Sequence, residues 1–69
     1  METYLRVIGQ NVRSTRKAQG VSQEALADMA GIDRSHMGFI ERGKKDIRIS
    51  TLVKVAGALN VDPAKLFEC

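Results

Sequence analysis

Apolar residues recur at helical spacing along the chain, and capping residues and glycines divide them into short segments. These helix start and stop signals constrain the fold more than any other feature of the sequence. Leu5, Ile8 and Val12 recur at the i, i+3 and i+7 spacing of one helix face. They predict a first helix from about Thr3 to Gln19. No run of residues alternates cleanly between apolar and polar, as a half-buried strand does. The sequence therefore predicts an all-α fold.

Four more helices are predicted from their start and stop signals. Ser and Asp cap a helix by accepting a hydrogen bond from a free backbone N–H, and glycine suits the left-handed residue after a helix end. The predicted N-caps are Ser22, Asp33, Ser50 and Asp62, and the predicted stops are Gly20, Gly31 and Gly43. The fourth helix is expected to carry an apolar stripe of Ile49, Leu52, Val53, Ala56 and Leu59, and the short fifth helix to begin at Pro63.

The turn between the second and third helices is only a few residues long. Such a short turn makes two helices cross at roughly 90–120°. Ala27 is small where the helices should approach, and Gly31 can adopt the positive φ that the turn needs. Ile32 is expected to fill the gap beneath the turn. This arrangement is typical of a helix-turn-helix.

A chain of 69 residues is predicted to be one domain whose core needs additional support. Its only cysteine is Cys69, and its only histidine, His36, has no second ligand at metal spacing, so neither an internal disulfide nor a metal is expected. A partner subunit is the remaining means of stabilisation. Cys69 is interpreted as an exposed tail residue, with an intermolecular disulfide as the alternative.

Several functional classes are disfavoured by what the sequence lacks. No apolar run approaches the roughly 20 residues of a membrane-spanning helix, and Glu2 and Arg6 interrupt any signal-peptide pattern. A cytoplasmic protein without a membrane partner is therefore expected. There is no Gly-rich phosphate loop and no catalytic cluster of carboxylates. The chain is predicted not to be an enzyme, to need no cofactor, and to have no evident small-molecule ligand.

Basic residues are concentrated in the third helix and the loop that follows it. The net charge of the chain is +3, and residues 34–48 alone contain five basic and two acidic side chains, which equals that excess. A local positive cluster favours a polyanionic partner such as nucleic acid. A solvated basic surface without a partner is the alternative.

The segment "SQEALADMAGIDRSHMGFIERG", residues 22–43, resembles the helix-turn-helix of the lambda-repressor-like, Cro/XRE-type transcriptional regulators. The positions that match are Gln23, Leu26, Ala27, Ala30, Gly31, Ile32, Met37 and Ile40. The resemblance extends through "ISTLVKVAGALNVDPAKLF" and so covers nearly the whole chain. It implies a compact five-helix bundle, a single DNA-binding domain over residues 1–69, and dimeric binding to a double-stranded DNA operator.

Arg16 and Glu41 are expected to form a structural ion pair. Continuing the apolar stripes of helices 1 and 3 by four residues places each of them at the edge of an apolar face. A charge at such an edge is costly unless it is paired. Phage repressors of the family carry a similar Arg–Glu pair. Two separate solvated charges are the alternative.

In this motif the second helix of the pair, helix 3, enters the major groove. A helical wheel places the face opposite to Met37 and Ile40 toward the DNA. The predicted base-reading residues on or beside that face are Arg34, Ser35, His36, Gly38 and Phe39. Arg34 is expected to donate to guanine and Phe39 to contact a thymine methyl, while Gly38 lets the helix lie close to the bases. A histidine packed against the protein surface is the alternative for His36.

Phosphate contacts are predicted at the start of helix 2, where free N–H groups favour an anion, and in the basic loop after helix 3. The residues assigned are Ser22, Gln23, Arg42, Lys44, Lys45 and Arg48. Arg48 is alternatively placed in the minor groove. Asp46 is an acid within this loop and is expected to orient a lysine.

A homodimer is expected to form at the short fifth helix, where the family makes its two-fold contact. The residues assigned to the interface are Val61, Pro63, Leu66 and Phe67, with Leu66 turned inward beneath the patch. A core position is the alternative for Phe67.

RNA polymerase is a further candidate partner. Rival interpretations are a protein-interaction or antitoxin-like module, in which Phe39 binds a protein, and the DNA-binding head of a longer regulator.

Overall fold

The computed structural model describes residues 2–44 and 46–68, which contain four α-helices and one C-terminal 3₁₀ turn. In chain order they are α1 (Glu2–Ala18), α2 (Gln23–Ala30), α3 (Arg34–Arg42), α4 (Ile49–Ala58) and the 3₁₀ turn (Pro63–Phe67). The all-α prediction is confirmed, since these ranges contain no strand. None of the four helices is long and apolar enough to cross a membrane. Lys45 and Cys69 lie outside the described residues.

The predicted count of five α-helices is wrong, because the last element is a 3₁₀ turn. It has five residues, and so short a segment gains too few i→i+4 hydrogen bonds to offset the cost of nucleating an α-helix. Asp62 nevertheless caps it as predicted, since its Oδ1 accepts a hydrogen bond from the Ala64 N–H at 2.9 Å. Pro63 occupies its first position.

One apolar core joins all five elements. α1 packs against α3 and the 3₁₀ turn, and α2 packs against α3 and α4. The core side chains are Ile8, Val12, Leu26, Ala27, Ala30, Met37, Ile40, Leu52, Val55, Ala56, Leu59 and Leu66. Ile32 packs against this cluster beneath the turn between α2 and α3, as predicted.

The start of α4 differs from the sequence prediction. Ser50 lies inside the first turn rather than at the cap, because the Leu52 N–H bonds to the Arg48 carbonyl at 2.9 Å and begins the helix earlier. The buried stripe is Leu52, Val55, Ala56 and Leu59. Ile49 and Val53, expected in that stripe, are 71% and 50% exposed. Two sets of apolar residues at helical spacing overlap in this segment. The set nearer the C-terminus is the one that packs into the core.

Gly9 allows α1 and α3 to approach each other closely. An ideal Cβ on Gly9 would lie 2.5 Å from the carbonyl oxygen of Ile40 and 2.6 Å from that of Glu41. Both atoms belong to the α3 backbone, which cannot rotate aside as a side chain could. The absence of a side chain at residue 9 therefore sets the separation of the two helices.

Two side-chain amides, Asn11 in α1 and Gln19 just after it, bind the C-terminal half of the chain. The Asn11 Nδ2 donates to the carbonyl oxygens of Leu66, at 2.8 Å, and Glu68, at 2.6 Å. The Gln19 Nε2 donates to the Leu59 carbonyl at 2.7 Å, just after α4. Asn11 thereby attaches the 3₁₀ turn to α1, and Gln19 attaches the end of α4 to the end of α1.

Candidate nucleic-acid interface

The local sequence fixes both ends of α3 as predicted. Gly31, in the left-handed conformation with φ of 71°, turns the chain out of α2. The Asp33 Oδ2 then accepts a hydrogen bond from the Ser35 N–H at 3.0 Å, and Gly43, with φ of 66°, ends the helix. Met37 and Ile40 are buried. The opposite face of α3 is thereby directed away from the core.

Six of the predicted DNA-contacting residues line one open depression of about 310 Å³ on that opposite face. We call it the reading depression. It is formed by Gln23 from α2 and by Arg34, Ser35, Gly38, Phe39 and Arg42 from α3. Arg34 and Ser35 are exposed, as base-reading side chains need to be. The depression brings hydrogen-bond donors, a hydroxyl and an aromatic ring together along the length of α3.

Gly38 lies in the reading depression but is buried, which corrects the expectation of an open position that could touch the bases. An ideal Cβ there would lie 3.4 Å from the Arg42 Nη1 and 3.7 Å from the Gln23 Oε1. These two side chains cover the glycine. The two side chains therefore lie between Gly38 and solvent, at ordinary van der Waals distance from an added Cβ.

Phe39 is half-buried rather than fully exposed. The guanidinium carbon of Arg42 lies 5.0 Å from the centroid of its ring, which is a cation–π contact across one helical turn. Arg42, predicted to contact phosphate, is thus held over the ring and inside the depression. The sequence contained a signal for this contact, since residues i and i+3 are neighbours on a helix surface.

His36 does not line the reading depression. It is half-buried on the flank of α3. The helical wheel explains this position, because His36 lies about 90° away from the centre of the reading face. A contact between His36 and DNA stays a prediction.

The predicted pair between Arg16 and Glu41 is confirmed. The Arg16 Nε lies 2.8 Å from the Glu41 Oε2, and its Nη2 lies 3.0 Å from Oε1. The two side chains are only 11% and 5% exposed. The hydrogen bonds that Arg16 donates to Glu41 raise the pKa of Arg16, burial opposes this, and the carboxylate charge raises it further. The guanidinium also donates to the Val21 carbonyl at 3.0 Å, next to the start of α2.

This ion pair also orients Gln23, which sequence reasoning missed. The Gln23 Nε2 donates to the Glu41 Oε1 at 3.2 Å. One amide hydrogen of Gln23 is therefore used in a hydrogen bond to the nearly buried Glu41. The Gln23 Oε1 lies next to Gly38. The contact joins residues 18 positions apart, so no local sequence pattern could have indicated it. Glu41 therefore links the core of the domain to the reading depression.

The other predicted phosphate contacts that the structure describes are exposed but do not line the reading depression. Ser22 is exposed, and its Oγ caps α2 by accepting from the Ala25 N–H at 3.0 Å. Lys44 and Arg48 are exposed before and after Lys45, which lies outside the described residues. Arg13 of α1 was not singled out from the sequence, yet it lines a second depression that shares Gln23, Gly38 and Arg42 with the first.

The predicted dimer residues occupy different environments. Leu66 is 1% exposed and belongs to the core, so its assignment to an interface is wrong. Val61 also packs against the core, and Pro63 is half-buried. Phe67 is 41% exposed, which excludes the alternative of a core position. Its ring lies at an apolar groove of about 320 Å³ that is otherwise lined by Tyr4, Leu5, Ile8, Asp46, Ile47, Ile49 and Leu52.

Comparison with known proteins gives a consistent picture. Residues 12–66 match the family model described as Helix-turn-helix. The chain is 40% identical over 60 residues to the control protein C.SmaI of Serratia marcescens. The aligned region covers 87% of this chain and 71% of that protein.

Two solved structures are similar in both fold and sequence. The restriction-modification controller protein C.AhdI from Aeromonas hydrophila has a TM-score of 0.89 and 43% identity, over 91% of this chain and 96% of that one. The structure of SinR, a master regulator for biofilm formation, in complex with DNA has a TM-score of 0.84 and 35% identity, over 88% of this chain and 98% of that one.

Proposed function

The chain belongs to the Cro/XRE-type helix-turn-helix family of DNA-binding transcription regulators, and we propose that it binds a two-fold symmetric operator as a homodimer with α3 in the major groove. The observation that carries this proposal is the reading depression, where Arg34, Ser35 and Phe39 share one outward face. Cytoplasmic DNA is the partner that such a surface fits.

The chemistry of the reading depression matches that of base edges. Arg34 can donate two hydrogen bonds to the O6 and N7 of guanine, and Ser35 can donate to or accept from several bases. Arg13, which lines the adjoining depression, and the exposed Lys44 and Arg48 would supply the charge that neutralises phosphates. Base contacts would provide sequence preference, and phosphate contacts would provide salt-dependent affinity.

Replacing Arg34 with alanine should relax sequence preference at one base position. The expected cost is about 1–3 kcal/mol on the preferred duplex, because one bidentate base contact is lost. Binding to the preferred duplex and to all its single-base variants, at one fixed salt concentration, measures the effect. Unchanged preference at every position would contradict the base-reading role of Arg34.

Lys44→Ala is the matched control, since Lys44 is also exposed but lies outside the reading depression. Its loss should weaken binding to all sequences alike and reduce the slope of log affinity against log salt by about one. If no duplex bound at low salt, the protein-interaction module would be favoured over the DNA-binding function.

The proposed dimer surface is the apolar side of α4 and the neighbouring groove, rather than the predicted set of residues. Ile49 and Val53 lie one turn apart on α4, and Phe67 and Tyr4 are 41% and 59% exposed. A second copy of the chain would cover these side chains. It would also supply the additional burial that a 69-residue domain needs.

Ile49→Lys should raise the dissociation constant of the dimer at least about tenfold, because apolar anchors at an interface centre contribute most of the affinity. The exposed position of Ile49 leaves the fold of the monomer intact. Sedimentation over a concentration series measures the effect. Met29→Lys is the control, because Met29 is 56% exposed on α2 and lies away from the groove. Equal dissociation constants for both variants would contradict the proposed surface.

Among the regulators that share this fold, restriction-modification controllers fit best. C.AhdI is a restriction-modification controller protein, and its match covers 91% of this chain and 96% of C.AhdI. We therefore place the operator upstream of restriction and modification genes. Mapping the preferred sequence onto the source genome tests this placement.

A further inference from the structure

Arg42 lines the reading depression and packs over an aromatic ring. Its guanidinium lies 5.0 Å from the centroid of the Phe39 ring. An arginine has many rotamers, and a stacking contact reduces the number that it samples. Arg42 forms no ion pair with any acid among residues 3–44 and 46–68. Its donors are therefore available to a ligand that enters the depression.

The Arg42 guanidinium also packs beside Gly38, at distances that would put an added Cβ in ordinary van der Waals contact. A Cβ on residue 38 would lie 3.4 Å from the Arg42 Nη1 and 3.9 Å from its Nη2. The guanidinium thus lies across the helix surface beside the ring of Phe39. This position places the Arg42 donors in the reading depression, together with Arg34 and Ser35.

We propose that Phe39 and Arg42 act as one unit that reads a two-base step, a pyrimidine with a 5-methyl group followed by guanine. Phe39 contacts the methyl group, and the stacked guanidinium donates to the O6 and N7 of the guanine. This inference rests on the proposed function and changes the role of Arg42 from phosphate contact to base reader.

The same geometry makes binding sensitive to cytosine methylation. Thymine and 5-methylcytosine carry the same methyl group in the major groove, whereas cytosine and uracil lack it. A CG step at this position should therefore gain affinity when its cytosine is methylated. The gain should be about fourfold, the value of one methyl group removed from water.

The test uses the preferred duplex with single-atom or single-group changes and the unmodified protein. Each thymine is replaced in turn by uracil, and each guanine by 7-deazaguanine, which lacks the N7 acceptor. At one TG step, uracil should weaken binding about fourfold, and 7-deazaguanine should weaken it several-fold. Replacing that TG step by CG and methylating the cytosine should restore the lost affinity.

Variants then assign each effect to a side chain. The uracil penalty should vanish in Phe39→Ala, and the 7-deazaguanine penalty should vanish in Arg42→Ala. Arg48→Ala is the control, because Arg48 is exposed outside the depression and its loss should leave both penalties in place. Circular dichroism establishes that each variant is folded, and the base analogues need no variant at all.

Two failures are distinguishable. If the unmodified protein prefers no sequence, the proposed function fails and this inference fails with it. If the protein prefers a sequence but binds uracil and thymine equally at every position, only the methyl-reading unit is overturned. A 7-deazaguanine penalty that persists in Arg42→Ala would overturn the role of Arg42.

Discussion

Replacing Gly9 with alanine should lower the free energy of unfolding by about 3 kcal/mol, which is most of what a domain of this size has. The added Cβ would meet the carbonyl oxygens of Ile40 and Glu41 at 2.5 and 2.6 Å. Backbone atoms of α3 cannot move aside singly, so α1 and α3 must separate. Alanine favours a helix over glycine by only about 1 kcal/mol, which does not offset the lost packing.

Gly57→Ala provides the matched control for this prediction. Gly57 also lies within a helix, but a Cβ there would have nothing within 4 Å. The substitution should raise the free energy of unfolding by roughly 0.5–1 kcal/mol, because only the helix propensity changes. Urea denaturation of both variants measures the difference. Equal stability of the two would show that α1 and α3 do not approach as closely as the structure shows.

Replacing Glu41 with alanine should cost about 3 kcal/mol, because it leaves the nearly buried charge of Arg16 without its carboxylate. Arg16 would keep only its hydrogen bond to the Val21 carbonyl. The raised pKa of Arg16 adds stability below the ordinary pKa of arginine and loses it only at strongly alkaline pH. The effect of Glu41→Ala should therefore be constant across neutral pH.

Two further variants test whether the cost comes from the pair itself. Glu24→Ala, at an exposed position in the first turn of α2, should change stability by less than about 0.5 kcal/mol. The double variant Arg16→Ala, Glu41→Ala should cost clearly less than the sum of the single variants, because neither partner is left alone. Equal losses for Glu41→Ala and Glu24→Ala would contradict a structural role for the pair.

Features set by local chemistry could be predicted from the sequence. Ser22, Asp33 and Asp62 cap their helices as expected, because a cap depends on only three or four consecutive residues. The pair of Arg16 with Glu41 spans 25 residues, yet it was predictable, since both residues lie at the edge of an apolar face.

Features that depend on the distance between packed elements could not be predicted. Nothing in the sequence distinguishes Gly9, at a helix contact, from Gly57, which meets no neighbour. The start of α4 was ambiguous because Ile49 and Val53 fit a helical stripe as well as the residues that are buried. The burial of Gly38 depends on where the side chains of Gln23 and Arg42 lie, and a helical wheel does not contain that information.

Selection of bound duplexes from a random pool tests most directly whether a dimer reads specific DNA through the reading depression. We expect one enriched sequence, made of two inverted half-sites whose centres lie about one helical turn, roughly 10 base pairs, apart. Each half-site should contain a guanine whose preference disappears in Arg34→Ala. A pool that shows no enriched sequence at low salt, with the wild-type protein folded, would contradict the claim.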